Sequence, residues 1–96
     1  MFVNIVEFPK IKEGKDADFR QWFMDSNLAY ATHPGFIRRI LLQPRGGGNY
    51  AAIVEHESHE TFMAMHTSST QAELRRRVQP LFEGSPRPAF YEVVIQ

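Results

Sequence analysis

The sequence predicts an α+β fold in which helices cover one face of an antiparallel sheet. Three observations support this prediction. The elements follow the order strand, helix, strand, strand, helix, strand, with turn residues between them. The first and last predicted strands are apolar on both faces, and the helices suffice to cover only one of these faces. The length of 96 residues favours one small domain, residues 1–96.

The first predicted strand covers residues 2–8 and carries apolar side chains on both faces. Phe2 and Phe8 point to one side and Val3 and Ile5 to the other, because side chains alternate along a strand. A sheet with one face in water would carry polar residues on that face. The second apolar face therefore needs a partner. A second copy of the chain is the simplest one, and a homodimer buried sheet to sheet would enclose space for a ligand.

A charged linker from Lys10 to Gly14 leads to a helix predicted to begin near Lys15 or Asp16. Mostly aromatic residues at positions i, i+3, i+4, i+7 and i+11 form one face of this helix. The residues of this face are Phe19, Trp22, Phe23, Ser26 and Tyr30. The helix ends at Thr32-His33-Pro34-Gly35, because proline disfavours α geometry in the preceding residue and glycine permits the reversal.

Two further strands are predicted from Phe36 to Leu42 and from Tyr50 to Glu57. The glycine-rich loop between them, Pro44 to Asn49, is typical of a flexible hairpin connection. Ser58 then has the position of an N-cap for a short helix through Met65, since its hydroxyl can accept from a free amide two or three residues later.

The segment Thr67 to Thr70 breaks this short helix. Thr70 and Glu73 have the spacing of a capping box, which predicts a second helical stretch from Gln71 to about Phe82. An exit loop from Gly84 to Pro88 precedes the last strand.

In that last strand, Phe90 and Val94 are predicted on one side and Tyr91, Val93 and Ile95 on the other. The complete order, βαββαβ, is that of the ferredoxin-like fold, an antiparallel sheet with helices on one face. This fold supports many activities, so function must be argued from individual residues.

Composition excludes several classes of function. Eleven basic and eleven acidic residues cancel, which argues against a nucleic-acid or polybasic membrane-surface protein. The absence of cysteine excludes disulfides and thiolate chemistry and suits a reducing cytosol. Asn4 and Glu7 interrupt the N-terminal apolar run, so we expect no signal peptide. No apolar run approaches a membrane span, and the expected location is cytoplasmic.

Asn4 is a polar residue on an otherwise apolar face of the first strand, because its neighbours two positions away are Phe2 and Val6. A buried carboxamide without a partner costs about 1–3 kcal/mol. Two interpretations remain open. The amide bonds to the backbone of a neighbouring element, or it is directed at a ligand oxygen, which it orients or whose developing negative charge it stabilises.

His66 lies at the end of the short helix, where an imidazole is either a packed or capping group or, facing a cavity, a proton-transfer group. We expect His33, His56 and His59 to be solvated. No pair of histidines has the spacing of ligands on one helix, so no metal site is predicted.

The side chains expected to line an aromatic-ligand site are Trp22, Phe23, Tyr30 and Met65, with Met63 beside them. An ordinary helix-to-sheet core would use the same residues, so both interpretations remain open.

Arg38 and Arg39 occupy both faces of the second strand, and one of them must point toward the apolar region unless the strand lies at an edge. That arginine is expected to pair with Glu55 or Glu92, or to meet an anionic ligand. The run Arg75 to Arg77 is interpreted as a solvated helix face.

The chain resembles the antibiotic biosynthesis monooxygenase family, small proteins of the dimeric α+β barrel class, over nearly its whole length. The segments that carry the resemblance are Asn4-Ile5-Val6-Glu7-Phe8-Pro9, His33-Pro34-Gly35-Phe36, Leu41-Leu42-Gln43-Pro44, Glu57-Ser58-His59-Glu60-Thr61-Phe62 and His66-Thr67-Ser68-Ser69. The resemblance implies a homodimer and, among the family's activities, a cofactor-independent oxygenase of a small aromatic substrate such as a quinol, phenol or anthrone.

The resemblance also implies roles for single residues. Asn4 falls where haem-degrading members and some polyketide oxygenases place a functional asparagine, and His66 is similar to a histidine of quinol-oxidising relatives. The second histidine of their pattern falls on Gln71, which argues against a mechanism with two histidines. Haem degradation is the alternative, but the tryptophan and axial histidine of those members fall on Met65 and Leu74.

The resemblance thus implies an oxygenase that needs no cofactor, in which Asn4 orients the substrate oxygen and His66 accepts or relays a proton. Trp22, Tyr30 and Met65 would shape an apolar pocket that excludes water. A haem-binding protein and a non-catalytic protein that binds a small ligand are the other two hypotheses.

Overall fold

A four-stranded antiparallel sheet forms the centre of the computed structural model, which describes residues 1–96. Strand β1 (Phe2–Glu7) lies between β4 (Ala51–His56) and β6 (Arg87–Glu92), and β3 (Phe36–Leu42) pairs with the far side of β4. The resulting order, β3-β4-β1-β6, confirms the predicted ferredoxin-like arrangement.

Three helices, α1 (Asp16–Tyr30), α2 (His59–His66) and α3 (Ser69–Val78), accompany this sheet. A second, two-stranded sheet is formed by β2 (Lys10–Ile11) and β5 (Phe82–Glu83). None of the helices combines the length and apolar character needed to cross a membrane.

Helix α1 forms as its periodicity predicts, and all five residues of the predicted apolar face are buried. The reversal after it uses Gly35, whose φ of +83° favours glycine. A Cβ at this position would lie 2.4 Å from the Thr61 side chain, so the turn also needs the absence of a side chain. Gly35 thereby allows the start of β3 to pack closely against α2.

The predicted cap of α2 is confirmed, since Ser58 accepts a hydrogen bond from the Thr61 amide at 3.1 Å. The predicted start of α3 is wrong. Ser68, not Thr70, is the N-cap, because its hydroxyl accepts from the Gln71 amide at 3.2 Å and the helix therefore begins before Thr70.

The predicted end of α3 at Phe82 is also wrong. The helix ends at Val78, and a 3₁₀ turn over Gln79–Leu81 contains Pro80, which lacks the amide hydrogen that a continuing helix needs. Phe82 instead pairs with Ile11, so β2 lies inside the segment that we expected to be a linker.

Strand β6 begins and ends earlier than predicted. Arg87 and Pro88 belong to it and not to the exit loop, since they pair with the C-terminal end of β1. β6 is an edge strand, where proline costs no hydrogen bond on its free side. The predicted strand residues after Glu92 lie beyond it, because the Phe2–Glu92 pair is the last of the β1–β6 register.

The two faces of the sheet differ as predicted. One face meets the helices and contributes Phe2, Asn4, Ala52 and Val54 to the buried interior. The opposite side, here called the open face, has no helix over it. It is defined by the cross-strand residues Val3, Ile5, Ile40, Ile53 and Tyr91.

Candidate functional site

A cavity of about 350 Å³, here called the central cavity, lies between the helix-facing side of the sheet and the helices. Nine of its 18 lining residues are hydrophobic. Its principal polar side chains are Asn4, Arg39, His66, Gln71, Arg75 and Gln79. The volume falls within the range of roughly 300–1,000 Å³ that is usual for small-molecule sites.

Asn4 reaches the central cavity from the middle of β1, where it is only 5% exposed. Its Oδ1 is buried and has no hydrogen-bond partner. The backbone hydrogen bond that one interpretation of this residue expected is therefore not made by Oδ1. An unpaired buried amide oxygen destabilises the fold, because its desolvation is not compensated by a hydrogen bond.

His66 lies at the C-terminal end of α2, lines the central cavity and is half-buried. Its ring stacks on Phe62 with centroids 5.3 Å apart and planes inclined by 18°. Burial lowers the pKa of His66, and the positive charge of Arg75 lowers it further. The imidazole is therefore neutral at neutral pH and available to accept a proton.

Trp22, Tyr30 and Met65, three of the residues expected at a ligand site, line the central cavity, and each also has a hydrogen-bond partner in the fold. The Trp22 indole Nε1 donates to the Leu74 carbonyl oxygen at 2.9 Å, and the Tyr30 hydroxyl donates to the Gln71 side chain. These hydrogen bonds fix the orientations of two aromatic walls. Burial raises the pKa of Tyr30, so its hydroxyl stays protonated.

Phe23 does not line the cavity, contrary to the prediction. It is 4% exposed and packs edge to face against Phe8, with ring centroids 6.4 Å apart. The Arg39 guanidinium carbon lies 4.0 Å from the Phe23 ring centroid. Phe23 therefore contacts a cavity-lining residue without lining the cavity itself.

Arg39 is the functional candidate that was absent from the predicted site residues. Its guanidinium carbon lies 4.0 Å from the Phe23 ring centroid and 5.0 Å from that of Tyr30, and it donates hydrogen bonds to Ser26 and Asn27. Burial lowers the pKa of Arg39 to about 10, so the group remains charged at neutral pH. The arginine that faces the apolar side is expected from the sequence to pair with Glu55 or Glu92 or to meet an anionic ligand, and Arg39 pairs with neither glutamate, since Glu55 pairs with Arg38.

The neighbouring arginines lie in different surroundings. Arg38 forms a two-pronged pair with Glu55 on the open face, with Nε and Oε2 2.6 Å apart. In the arginine run of α3, Arg76 pairs with Glu73 and Arg77 pairs with Asp25, as expected of a solvated helix face. Arg75 alone in this run has no acidic partner, and it lines the central cavity.

The prediction that three histidines are solvated is wrong for His56, which is fully buried. Its Nδ1 lies 3.0 Å from Thr61 Oγ1 and its Nε2 lies 3.3 Å from Met65 Sδ, and burial lowers its pKa. The error arose because strand β4 ends inside the core, one turn before α2. His59 is exposed, and His33 is half-buried with Nε2 3.1 Å from Thr70 Oγ1.

No three His, Cys, Asp or Glu side chains converge in a way that could hold a metal ion. His66 is the single imidazole that lines the cavity and would be its only histidine ligand for a haem iron. The volume of about 350 Å³ lies near the lower end of the usual range for small-molecule sites.

Neither a protein-family model nor a curated protein matches the sequence. Solved structures nevertheless match it closely in fold. A Nitrosomonas europaea protein assigned as an antibiotic biosynthesis monooxygenase is 16% identical, with 97% of this chain and 89% of that chain covered at a TM-score of 0.85. Rv0793 from Mycobacterium tuberculosis is 11% identical, with 100% and 98% covered at a TM-score of 0.84.

SnoaB, a cofactor-independent oxygenase from Streptomyces nogalater, is 21% identical, with 99% of this chain and 92% of that chain covered at a TM-score of 0.78. At these identities the comparisons establish a shared fold. They confirm the predicted fold class, and the resemblance to antibiotic biosynthesis monooxygenases holds at the level of the fold.

Proposed function

We propose that this protein is a cofactor-independent monooxygenase that oxidises a small electron-rich aromatic compound, such as a quinol, phenol or anthrone, with molecular oxygen. The observation that carries the proposal is one cavity that combines the Asn4 carboxamide, the neutral imidazole of His66 and aromatic walls. The shared fold with SnoaB, itself a cofactor-independent oxygenase, supports the same activity.

The substrate supplies the reactivity in this proposal. His66 removes a proton from the ring carbon or hydroxyl, and Asn4 donates a hydrogen bond to the substrate oxygen on which negative charge develops. The resulting anion is electron-rich enough to pass one electron to molecular oxygen. Trp22 and Tyr30 hold the ring in an apolar environment, in which the polar contacts are stronger than in water.

The remaining steps balance without a cofactor. The substrate radical and superoxide combine to form a carbon–oxygen bond, and the peroxide takes the proton from His66. The hydrogen that remains on the oxygenated carbon then leaves as a proton while the oxygen–oxygen bond breaks, which gives a carbonyl group, and the released hydroxide takes up a proton to form water. One oxygen atom enters the product, the other leaves as water, and the substrate provides all four electrons.

We also propose that two copies of the chain associate through the open face. Its cross-strand neighbours Ile5, Ile40 and Ile53 are apolar, and no helix of the same chain covers them. Burying such a patch is favourable by about 25 cal/mol for each Å² removed from water. Ion pairs at two corners of this face, Arg38–Glu55 and Arg87–Glu7, would lie at the rim of the interface.

Oxygen uptake by metal-stripped protein tests the proposed activity. A panel of hydroquinones, dihydroxynaphthalenes and anthrones, each with and without a carboxylate substituent, is compared with the autoxidation of each compound, for the wild type, Asn4→Ala and His66→Ala. We expect uptake well above autoxidation, reduced at least about tenfold in each variant. His59→Ala, at an exposed histidine outside the cavity, should retain wild-type uptake.

Absence of uptake across the panel would reject the oxygenase proposal. A titration with haem and a thermal-shift measurement with aromatic ligands would then separate a haem protein from a protein that only binds a small ligand.

A further inference from the structure

The central cavity has a one-sided charge. Its 18 lining residues include two arginines and one histidine but no aspartate or glutamate. The whole chain has equal numbers of basic and acidic residues, so the imbalance is a local property of this cavity. Arg75 is exposed and hydrated, whereas Arg39 is half-buried among aromatic rings. A charge that is partly removed from water is normally paired, because its desolvation is costly, so Arg39 is the cation that most needs a negative partner.

Contacts within the protein fix the position of the Arg39 guanidinium and leave some of its N–H donors available to a negatively charged group. Three aromatic rings lie within 5.3 Å of its guanidinium carbon, and Nη1 donates to Ser26 and Asn27. A guanidinium has five N–H donors, and the hydrogen bonds of Arg39 within the protein all come from Nη1. Its Nε and Nη2 donors remain free, and no carboxylate of the chain forms an ion pair with it.

Arg75 adds a second cation at the same cavity. The arginines next to Arg39 and Arg75 in the sequence both have acidic partners: Arg38 pairs with Glu55, and Arg76 pairs with Glu73. Arg75 and Arg39, the two arginines that line the cavity, are left without one. Of the eight arginines, only Arg45, in the exposed loop after β3, also lacks an ion pair.

We propose that the ligand of the central cavity is an aromatic carboxylic acid, bound as its carboxylate by Arg39 and Arg75. This inference rests on the proposed function in placing the substrate in this cavity, and it specifies which aromatic compounds bind there. A carboxylate is planar and accepts two parallel hydrogen bonds from the fork of a guanidinium. The apolar lining residues contact the ring.

A neutral phenol would fit these charges less well. It carries a negative charge only after its proton has moved to His66, so the half-buried Arg39 would have no counter-charge whenever a neutral substrate binds. A carboxylate supplies that counter-charge in the bound ground state. The carboxylate then orients the ring, and the proton abstracted by His66 comes from another part of the substrate.

Binding of a matched pair of ligands tests the inference without any turnover. Isothermal titration calorimetry compares a naphthoate with the naphthamide of the same ring substitution, which has nearly the same shape but no charge. We expect the acid to bind the wild type at least about tenfold more tightly than the amide. Quenching of Trp22, the only tryptophan, would place the ligand in the cavity.

Two variants and two controls complete this test. Arg39→Gln and Arg75→Gln should each remove most of the preference for the acid, whereas Arg38→Gln and Arg76→Gln should keep it. Arg75 is exposed on α3, so Arg75→Gln gives an answer even if Arg39→Gln does not fold. In the wild type, added salt should weaken binding of the acid and leave binding of the amide nearly unchanged.

Equal affinity for acid and amide, or no binding of either ligand to folded protein, would overturn the inference. The outcome is separable from that of the proposed function. If the protein prefers the acid but shows no oxygen uptake, the carboxylate site is supported and the oxygenase is rejected. If it oxidises neutral quinols but does not prefer the acid, the oxygenase is supported and the carboxylate site is rejected.

Discussion

The guanidinium carbon of Arg39 lies 4.0 Å from the ring centroid of Phe23, on the side of the sheet that faces the helices. Arg38, the preceding residue, lies on the open face and pairs with Glu55. One β-strand thus places two adjacent arginines in opposite environments, as its two-residue period requires. Phe23 thus contacts a cavity-lining residue without lining the cavity itself.

Asn4→Leu should separate stability from activity. Leucine removes the buried amide oxygen that has no partner, so we expect the free energy of unfolding to rise by about 1 kcal/mol while oxygen uptake is lost. Chemical denaturation and an oxygen electrode measure the two effects.

Asn27→Leu is the matched control for stability. Asn27 makes hydrogen bonds with Arg39, so its replacement should lower the free energy of unfolding. A destabilised Asn4→Leu would mean that Asn4 is structural.

The pH dependence of turnover should report His66. Burial and the charge of Arg75 lower its pKa below the usual value of about 6.5. Because the neutral imidazole is the base, kcat/KM should rise with pH, with a midpoint below about 6.5, and stay level above it. His66→Gln should lower kcat/KM about 100-fold and abolish the acidic limb. A variant that keeps the wild-type profile would exclude His66 as the base.

His56 should make the fold less stable in acid. Burial holds the pKa of His56 below its unfolded value of about 6.5, so below that pH the unfolded chain binds a proton that the folded protein does not. The free energy of unfolding should therefore decrease as pH falls from about 7 to about 5.5. In urea unfolding of His56→Gln, the free energy of unfolding should decrease less over this pH range. The remaining decrease should come from His66, whose pKa is also lowered by burial. An unchanged slope would contradict this assignment.

Gly35→Ala and Gly47→Ala should differ in cost although their backbone angles are nearly the same. The two glycines have φ of +83° and +85°, which costs an alanine about 1 kcal/mol. Only at Gly35 would the new Cβ also meet Thr61, at 2.4 Å, whereas nothing lies within 4 Å at Gly47. We expect Gly35→Ala to lose at least about 1 kcal/mol more in denaturant titrations. Equal losses would show that Thr61 yields without cost.

A charge on the open face should prevent dimer formation. Ile53 pairs across the strands with Ile5 and Ile40, so Ile53→Lys would place an ammonium group in the centre of the proposed interface. Sedimentation velocity should show a dimer for the wild type and a monomer for Ile53→Lys. Leu28→Lys, at a residue that is 75% exposed on α1, is the control and should leave the dimer intact. A monomeric wild type would refute the proposed association.

The fold was predictable because its major elements repeat with clear periods. The buried face of α1 and the apolar faces of β1 follow directly from spacing. The strands β2 and β5 were not predictable, since two residues have no period. The boundary of α3 depended on which of several hydroxyl residues serves as the cap, and only the geometry identifies Ser68.

The site was predictable where a residue breaks a pattern. Asn4 interrupts an apolar face, and the pair Arg38-Arg39 requires one charge on the wrong side, so both could be noticed from spacing alone. The environments of His56 and Phe23 were not predictable, because they depend on how the helices are placed against the sheet. The missing acidic partners of Arg39 and Arg75 depend on contacts between elements far apart in the chain.

The most direct test of the proposed oxygenase supplies heavy-isotope molecular oxygen to metal-stripped protein with the anthrones of the panel and determines the product masses. The mechanism predicts that each product gains one heavy oxygen atom, at a rate well above autoxidation and lost in Asn4→Ala. Products that gain no heavy oxygen, or that form equally fast without the protein, would contradict it.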